Sequence, residues 1–227
     1  MTSDSIWRRI KSVFVPAKPA PLTFTHEEAM GWVRDRVRRD VASGYYASDE
    51  IIRNAVYDVG DEMPAEEAER EARRLLPVAL AEHSAEQANW PERTDYDRLD
   101  AAFAALEADG IIARQNFSCC GSCGSTEIWD EMEAVRDAGG PASGYAFFHV
   151  QDTDGAVDGD DLYLNYGSST AGEDAALAVA REIVEHLEAQ GLQTTWTGSW
   201  NQRIGVQLDW KRRRPAADGA DASATFH

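Results

Sequence analysis

The chain has 227 residues, of which 43% are hydrophobic and 27% charged, enough for one or two folded domains with a sizeable core. Forty Asp and Glu residues against 22 Lys and Arg leave a net charge of −18, which excludes nucleic acid and anionic membranes as partners for most of the surface. No stretch approaches the ~20 consecutive apolar residues that span a bilayer, and three cysteines make no secreted disulfide framework, so a cytoplasmic protein with free or metal-bound thiols is expected.

Residues 1–22 read as a flexible basic tail. Arg8, Arg9 and Lys11 stand beside Ile6, Ile10, Val13 and Phe14, and then Pro16, Pro19 and Pro21 prevent any helix from continuing. Residues 23–110 read as a helical region. Thr25 and Glu28 form a capping box, followed by Ala29, Val33, Val37 and Val41 on one face and by a break at Gly44. Ser48 is expected to cap a second helix with Ile51, Ile52, Ala55, Val56 and Val59 turned inward. Pro64 suits a first helical position, and residues 65–89 form a long helix that Pro77 should kink or split. Thr94 caps the next helix, in which Leu99, Ala102, Phe103 and Leu106 repeat at helical spacing before Gly110 ends it.

The period changes at Ile111. Residues 111–117 read as a strand, the cysteines follow, and a helix runs from about Thr126 to Asp137. Residues 144–151 and 161–167 read as strands joined by an acidic loop, Glu173 to Gln190 as a helix, and 193–198 and 203–210 as a final pair of strands. Residues 111–210 therefore form an α+β sheet domain whose element order matches the split βαβ arrangement of ferredoxin-like folds, with one extra C-terminal strand and the N-terminal helices packed on a mixed or antiparallel sheet. The remainder, 211–227, is small and polar and reads as a disordered tail.

All three cysteines fall in Asn116-Phe-Ser-Cys119-Cys120-Gly-Ser-Cys123-Gly124. The Cys-x-x-Cys spacing of Cys120 and Cys123 lets both sulfurs reach one metal ion or each other. His149, near the end of the second strand, completes the composition of a Cys₃His structural zinc site with Cys119, Cys120 and Cys123. Cys119 and Cys120 are adjacent, so both reach one ion only if the loop curls. The helix start after Cys123 favours thiolate, which serves metal binding and redox chemistry equally. A Cys-x-x-Cys between the first strand and first helix resembles heavy-metal-associated domains, although Ser118 stands where these carry Met and Cys119 is added.

One face of the predicted sheet carries Tyr145, Phe147, His149, Gln151, Tyr163, Asn165 and Arg203, a mixture suited to a ligand or to burial under the N-terminal helices, and burial is the preferred reading. The loop carboxylates Asp152, Asp154, Asp158, Asp160 and Asp161 lack the EF-hand pattern and its terminal Glu, so a solvated turn is expected. Walker, Rossmann, G-x-S-x-G and H-E-x-x-H motifs are all missing from the sequence.

The run Gly110-Ile-Ile-Ala-Arg-Gln-Asn-Phe-Ser-Cys-Cys-Gly-Ser-Cys-Gly124, with Gly144 to Thr153, Leu162 to Gly167 and the final Trp- and Arg-rich strand, resembles an uncharacterised bacterial domain-of-unknown-function family with an Asn-Phe-Ser/Thr-Cys-Cys-x-x-Cys-Gly signature. The resemblance covers residues ~95–214 and implies one domain, with no reaction attached. The expected function is a binding module that holds zinc or another thiophilic ion. Thiol–disulfide redox or redox sensing is the second expectation, and a protein-interaction domain with incidental cysteines the third. The sequence sets neither a protein partner nor an oligomeric state.

Overall fold

A computed structural model describes residues 24–215 of the protein. The basic tail at 1–22 and the stretch 216–227 lie outside the described residues.

Among the described residues, seven α-helices and five strands make an α+β architecture with three apolar clusters. The first cluster is a helical layer of α1 (His26–Ser43), α2 (Ser48–Val59) and α3 (Ala65–Gln87). The Thr25–Glu28 capping box starts α1, with the Thr25 N–H donating to Glu28 at 2.7 Å, and Gly44 ends it in the left-handed region at φ 75°. The predicted face of Ala29, Val33, Val37 and Val41 is buried against Ile51, Ala55 and Leu76. Two local readings change. Ser48 is the first residue of α2 and not its cap; the Ala47 N–H is instead satisfied by Glu50 at 2.8 Å. Pro64 occupies the N-cap of α3, and the helix continues through Pro77 without splitting.

The helix α4 (Asp95–Ala108), capped by Thr94 as expected, leaves the helical layer. Its Leu99, Phe103 and Leu106 join Ile111, Leu164 and Ile183 in the largest cluster. The apolar stripe of α4 thus packs with the sheet and not with α1–α3.

The sheet contains β1 (Ile111–Arg114), β2 (Gly144–Phe147), β3 (Leu162–Ser168), β4 (Gln193–Thr195) and β5 (Ile204–Gln207) in the order β1-β2-β3-β5-β4. The α+β class holds, but the ferredoxin-like split is absent. The strands β1 and β2 pair directly and in parallel through the crossover helix α5 (Gly121–Asp137), and no strand lies between them. The acidic segment explains the difference. It is not a hairpin loop but helix α6 (Val150–Val157), which carries the chain to the free edge of β2, where β3 pairs antiparallel. The α6 carboxylates are ion-paired: Asp152 with Arg203 at 2.6 Å, Asp154 with Arg36 at 2.9 Å and Asp158 with Arg39 at 2.9 Å. Arginine thus takes these groups out of the solvated turn that the sequence suggested.

Both faces of the sheet follow the period-2 pattern. Ala146, Leu162, Leu164, Ile204 and Val206 face α4 and α7 (Glu173–Ala189). On the other face, Ile112 and Phe147 pack on Ile128 and Met132 of α5. Beyond α5 this second face is open, and Tyr163 is 42% exposed. The helices α1–α3 do not cover it, since their apolar faces are spent on one another.

The two layers meet through α6 and the C-terminal segment. Buried Arg36 of α1 binds Asp40 beside it and grips Asp154 with both terminal nitrogens, at 2.9 and 3.0 Å. Residues 211–215 also belong to this joint, which corrects the reading of a disordered tail from 211. The Arg212 guanidinium lies 3.9 Å from the Tyr45 ring centroid and bonds the Gly44 carbonyl. Arg213 pairs with Asp97, and Arg214 donates to the Tyr46 and Val41 carbonyls.

Candidate metal centre

The cysteine loop leaves the C-terminal end of β1 and turns sharply before α5. Two non-glycine residues carry that turn in the left-handed region, Asn116 at φ 49° and Ser118 at φ 62°. Asn tolerates this conformation well, whereas Ser does so at a cost of ~1–2 kcal/mol. Tertiary bonds hold both in place. Asn116 donates to the Tyr46 hydroxyl at 3.1 Å and accepts from Thr153 at 2.8 Å, while the Ser118 carbonyl accepts the Val150 N–H at 3.2 Å. This is the curl that adjacent cysteines require. It brings the three sulfurs to within 4.8 Å of one another without a disulfide.

The expected helix start at Thr126 moves back five residues. Cys120 is the N-cap of α5, Gly121 its first residue, and Cys123 lies in the first turn. Gly124 lets this turn press onto the sheet, because a Cβ there would stand 2.5 Å from the Phe147 ring. Cys119 is exposed, and Cys120 and Cys123 are half-buried. The helix start acts on the thiols unequally. The backbone N–H of Cys123 and then the Cys123 thiol hold the Cys120 thiol below its ordinary value. Hydrogen bonds with Cys119 and Cys120 push Cys123 up to about 11. In the metal-free cluster Cys120 is therefore a more acidic thiol than Cys123.

His149 is near but outside the group of three. It is 6% exposed, and its ring lies by Gly121, where a Cβ would sit 3.5 Å from Nε2. Both ring nitrogens serve the N-cap of α6: Nδ1 accepts the Asp152 N–H at 3.3 Å, and Nε2 faces the Asp152 carboxylate at 3.1 Å. Burial, opposed by the Asp152 charge and aided by that of Arg203, holds its pKa below the ordinary imidazole value. Sequence reasoning missed the roles of Asn116, Ser118 and Asp152. An Asn at the end of the first strand, where a turn must follow, was a faint signal for the first, but the Asp152–Arg203 pair had none.

The chain belongs to the family described as Domain of unknown function (DUF6891), whose model matches residues 26–214. The match takes in the helical layer and the sheet together, extending the resemblance seen from residue 95. No curated protein and no solved structure matches the chain. No helix among the described residues is long and apolar enough to cross a membrane.

Proposed function

We propose that the protein is a binding module that holds zinc or another thiophilic cation through Cys119, Cys120 and Cys123. The observation that carries the reading is the approach of three sulfur ligand atoms to within 4.8 Å of one another. Three sulfurs on one tetrahedral Zn²⁺, each at ~2.3 Å, would lie ~3.8 Å apart, so small side-chain rotations close the site. The helix N-terminus supports it electrostatically, since the thiolates gather where backbone N–H groups are unpaired. His149 positions the wall of the site beside Gly121, and to become a ligand it would have to give up Asp152. Three thiolates leave a fourth position for water or an outside ligand, so the ion would be exchangeable.

Protein purified under reducing conditions and loaded with Co²⁺ is expected to show sulfur-to-metal charge-transfer absorption, with zinc displacing it at one equivalent. Cys120→Ser and Cys123→Ser should each abolish the band, and His149→Gln should keep it. Substoichiometric metal in a folded, fully reduced wild type would sink the proposal. Affinity should rise with pH, because thiols bind the ion as thiolates and the Cys123 thiol, pushed up to about 11, must lose its proton as the ion binds.

A second reading, thiol–disulfide exchange, is favoured by one observation. The lowered pKa of Cys120 beside the raised one of Cys123 is the asymmetry of an attacking and a resolving thiol. Reversible formation of a Cys120–Cys123 disulfide in glutathione buffers, with no metal retained, would select it.

A further inference from the structure

The donor set of the cysteine cluster stops at three sulfurs. Among the described residues, no His, Asp or Glu ligand atom joins Cys119, Cys120 and Cys123 within the same 4.8 Å. His149 is held on Asp152 through both ring nitrogens. Glu127 stands one turn beyond Cys123 on α5, but its carboxylate accepts the Ser118 hydroxyl at 3.2 Å. Structural zinc sites close with a fourth protein ligand, and this cluster supplies none. A centre that bonds three sulfurs and needs no further donor fits the set as it stands.

The fold gathers the three sulfurs before any ligand arrives. Cys120 is the N-cap of α5 and Cys123 its third residue, positions whose side chains meet as in a capping box. Cys119 precedes them, and the left-handed Asn116 and Ser118 bring it to the pair. Because Tyr46, Thr153 and Val150 already hold that turn, binding loses little chain entropy. Cys119 is exposed, and Cys120 and Cys123 are half-buried, so a small solute reaches the cluster. An uncharged solute meets no repulsion from a chain of net charge −18.

We propose that the cluster takes up trivalent arsenic from arsenous acid, As(OH)₃, through As–S bonds to Cys119, Cys120 and Cys123. Soft sulfur ligands select soft centres. Arsenic(III) is three-coordinate and pyramidal, with a lone pair where zinc requires its fourth ligand. Each As–OH bond that breaks is replaced by an As–S bond, and each thiol proton leaves with a hydroxide as water. Three thiols and one As(OH)₃ thus give one As(S-Cys)₃ and three waters, with no oxidation and no net charge. The neutral product suits a loop beside the Glu127 carboxylate. The assignment rests on the reading that the three thiols share one thiophilic centre, and it names that centre.

Arsenite is the probe, added to full-length protein stripped of metal and reduced with a phosphine, and native mass spectrometry is the readout. The protein should gain one arsenic and lose three hydrogens. The complex should survive excess glutathione, because three thiols on one loop act intramolecularly. Cys119→Ser, Cys120→Ser and Cys123→Ser should each weaken arsenite ~100-fold or more, leaving at most an As–OH group held by two sulfurs. Phenylarsine oxide, whose arsenic accepts only two thiols, should still bind Cys119→Ser. Glu127→Gln, at an exposed position, should keep the wild-type affinity. A two-sulfur adduct in the wild type, loss of arsenic to glutathione, indifference to Cys119→Ser, loss of phenylarsine oxide together with arsenite in that variant, or dependence on Glu127 would each overturn the proposal. Co²⁺ loading of the same preparation separates the two readings. A sulfur-to-cobalt band without three-sulfur arsenic overturns the arsenic proposal alone, and absence of both overturns the two together.

Discussion

The two faces of the sheet are made by the same strands and have opposite fates. One face of β3 and β5 presents Leu162, Leu164, Ile204 and Val206 to α4 and α7 and is dry. The other presents Tyr163, Asn165 and Arg203, with only α5 covering the neighbouring β1 and β2. The dry face holds the fold together, and the half-covered face carries the thiols. Stability and binding are thus separated across a single layer of backbone.

That separation is open to attack by substitution. Leu164→Ala on the dry face should cost ~2–5 kcal/mol in chemical denaturation, since Leu164 is fully buried. Tyr163→Ala, the next residue but on the open face, should cost under ~1 kcal/mol in the same assay. Similar costs for the two would show that the open face is covered in solution. Gly124→Ala should cost ~1–3 kcal/mol by driving a Cβ into Phe147, and by lifting the first turn of α5 it should also weaken Co²⁺ binding. A variant as stable as wild type would mean that α5 does not sit down on β2. Arg212→Ala should lower stability by ~0.5–2 kcal/mol, because its guanidinium stacks on Tyr45 where the helical layer meets the sheet. Hydrogen exchange in that variant should quicken in α1–α3 before the sheet if the C-terminal strap joins the layers.

The smallest effect is a pH dependence confined to the helical layer. Burial, and then the Arg214 charge, hold the His83 pKa below 6.5. The unfolded chain therefore binds a proton that the folded chain refuses. This contribution to stability is complete above pH 6.5 and is lost as the pH falls through the lower, folded value. Denaturation midpoints should decline between neutral and mildly acidic pH, and His83→Gln should flatten that decline. An unchanged slope in the variant would remove His83 as the source.

Much of the fold was legible along the chain. The capping boxes at Thr25 and Thr94, the valine stripe of α1 and the alternation in β3 are local signals, each set by neighbours within a few residues. The errors share one cause, which is competition between local pattern and distant partners. The acidic segment 152–161 looks like a solvated loop because its carboxylates resemble one another in sequence, yet Arg203, Arg36 and Arg39 arrive from 51 or more positions away to pair with Asp152, Asp154 and Asp158. Once paired, the segment forms α6, and α6 decides that β3 joins the outer edge of β2. The arginines at 212–214 look like the start of a polar tail for the same reason. Their partners, Gly44, Asp97 and Tyr46, are more than a hundred residues upstream.

The candidate site divides along the same line. By itself, the sequence determined that three thiols lie in one short run between a strand and a helix, because spacing along a chain is a covalent fact. Only the tertiary structure decided that they converge. Tyr46, Thr153 and Val150 hold Asn116 and Ser118 in left-handed conformations that the loop would not adopt alone, and that curl turns adjacent cysteines toward one point. The same contacts leave His149 bound to Asp152, because a buried imidazole keeps the partners that satisfy both its nitrogens.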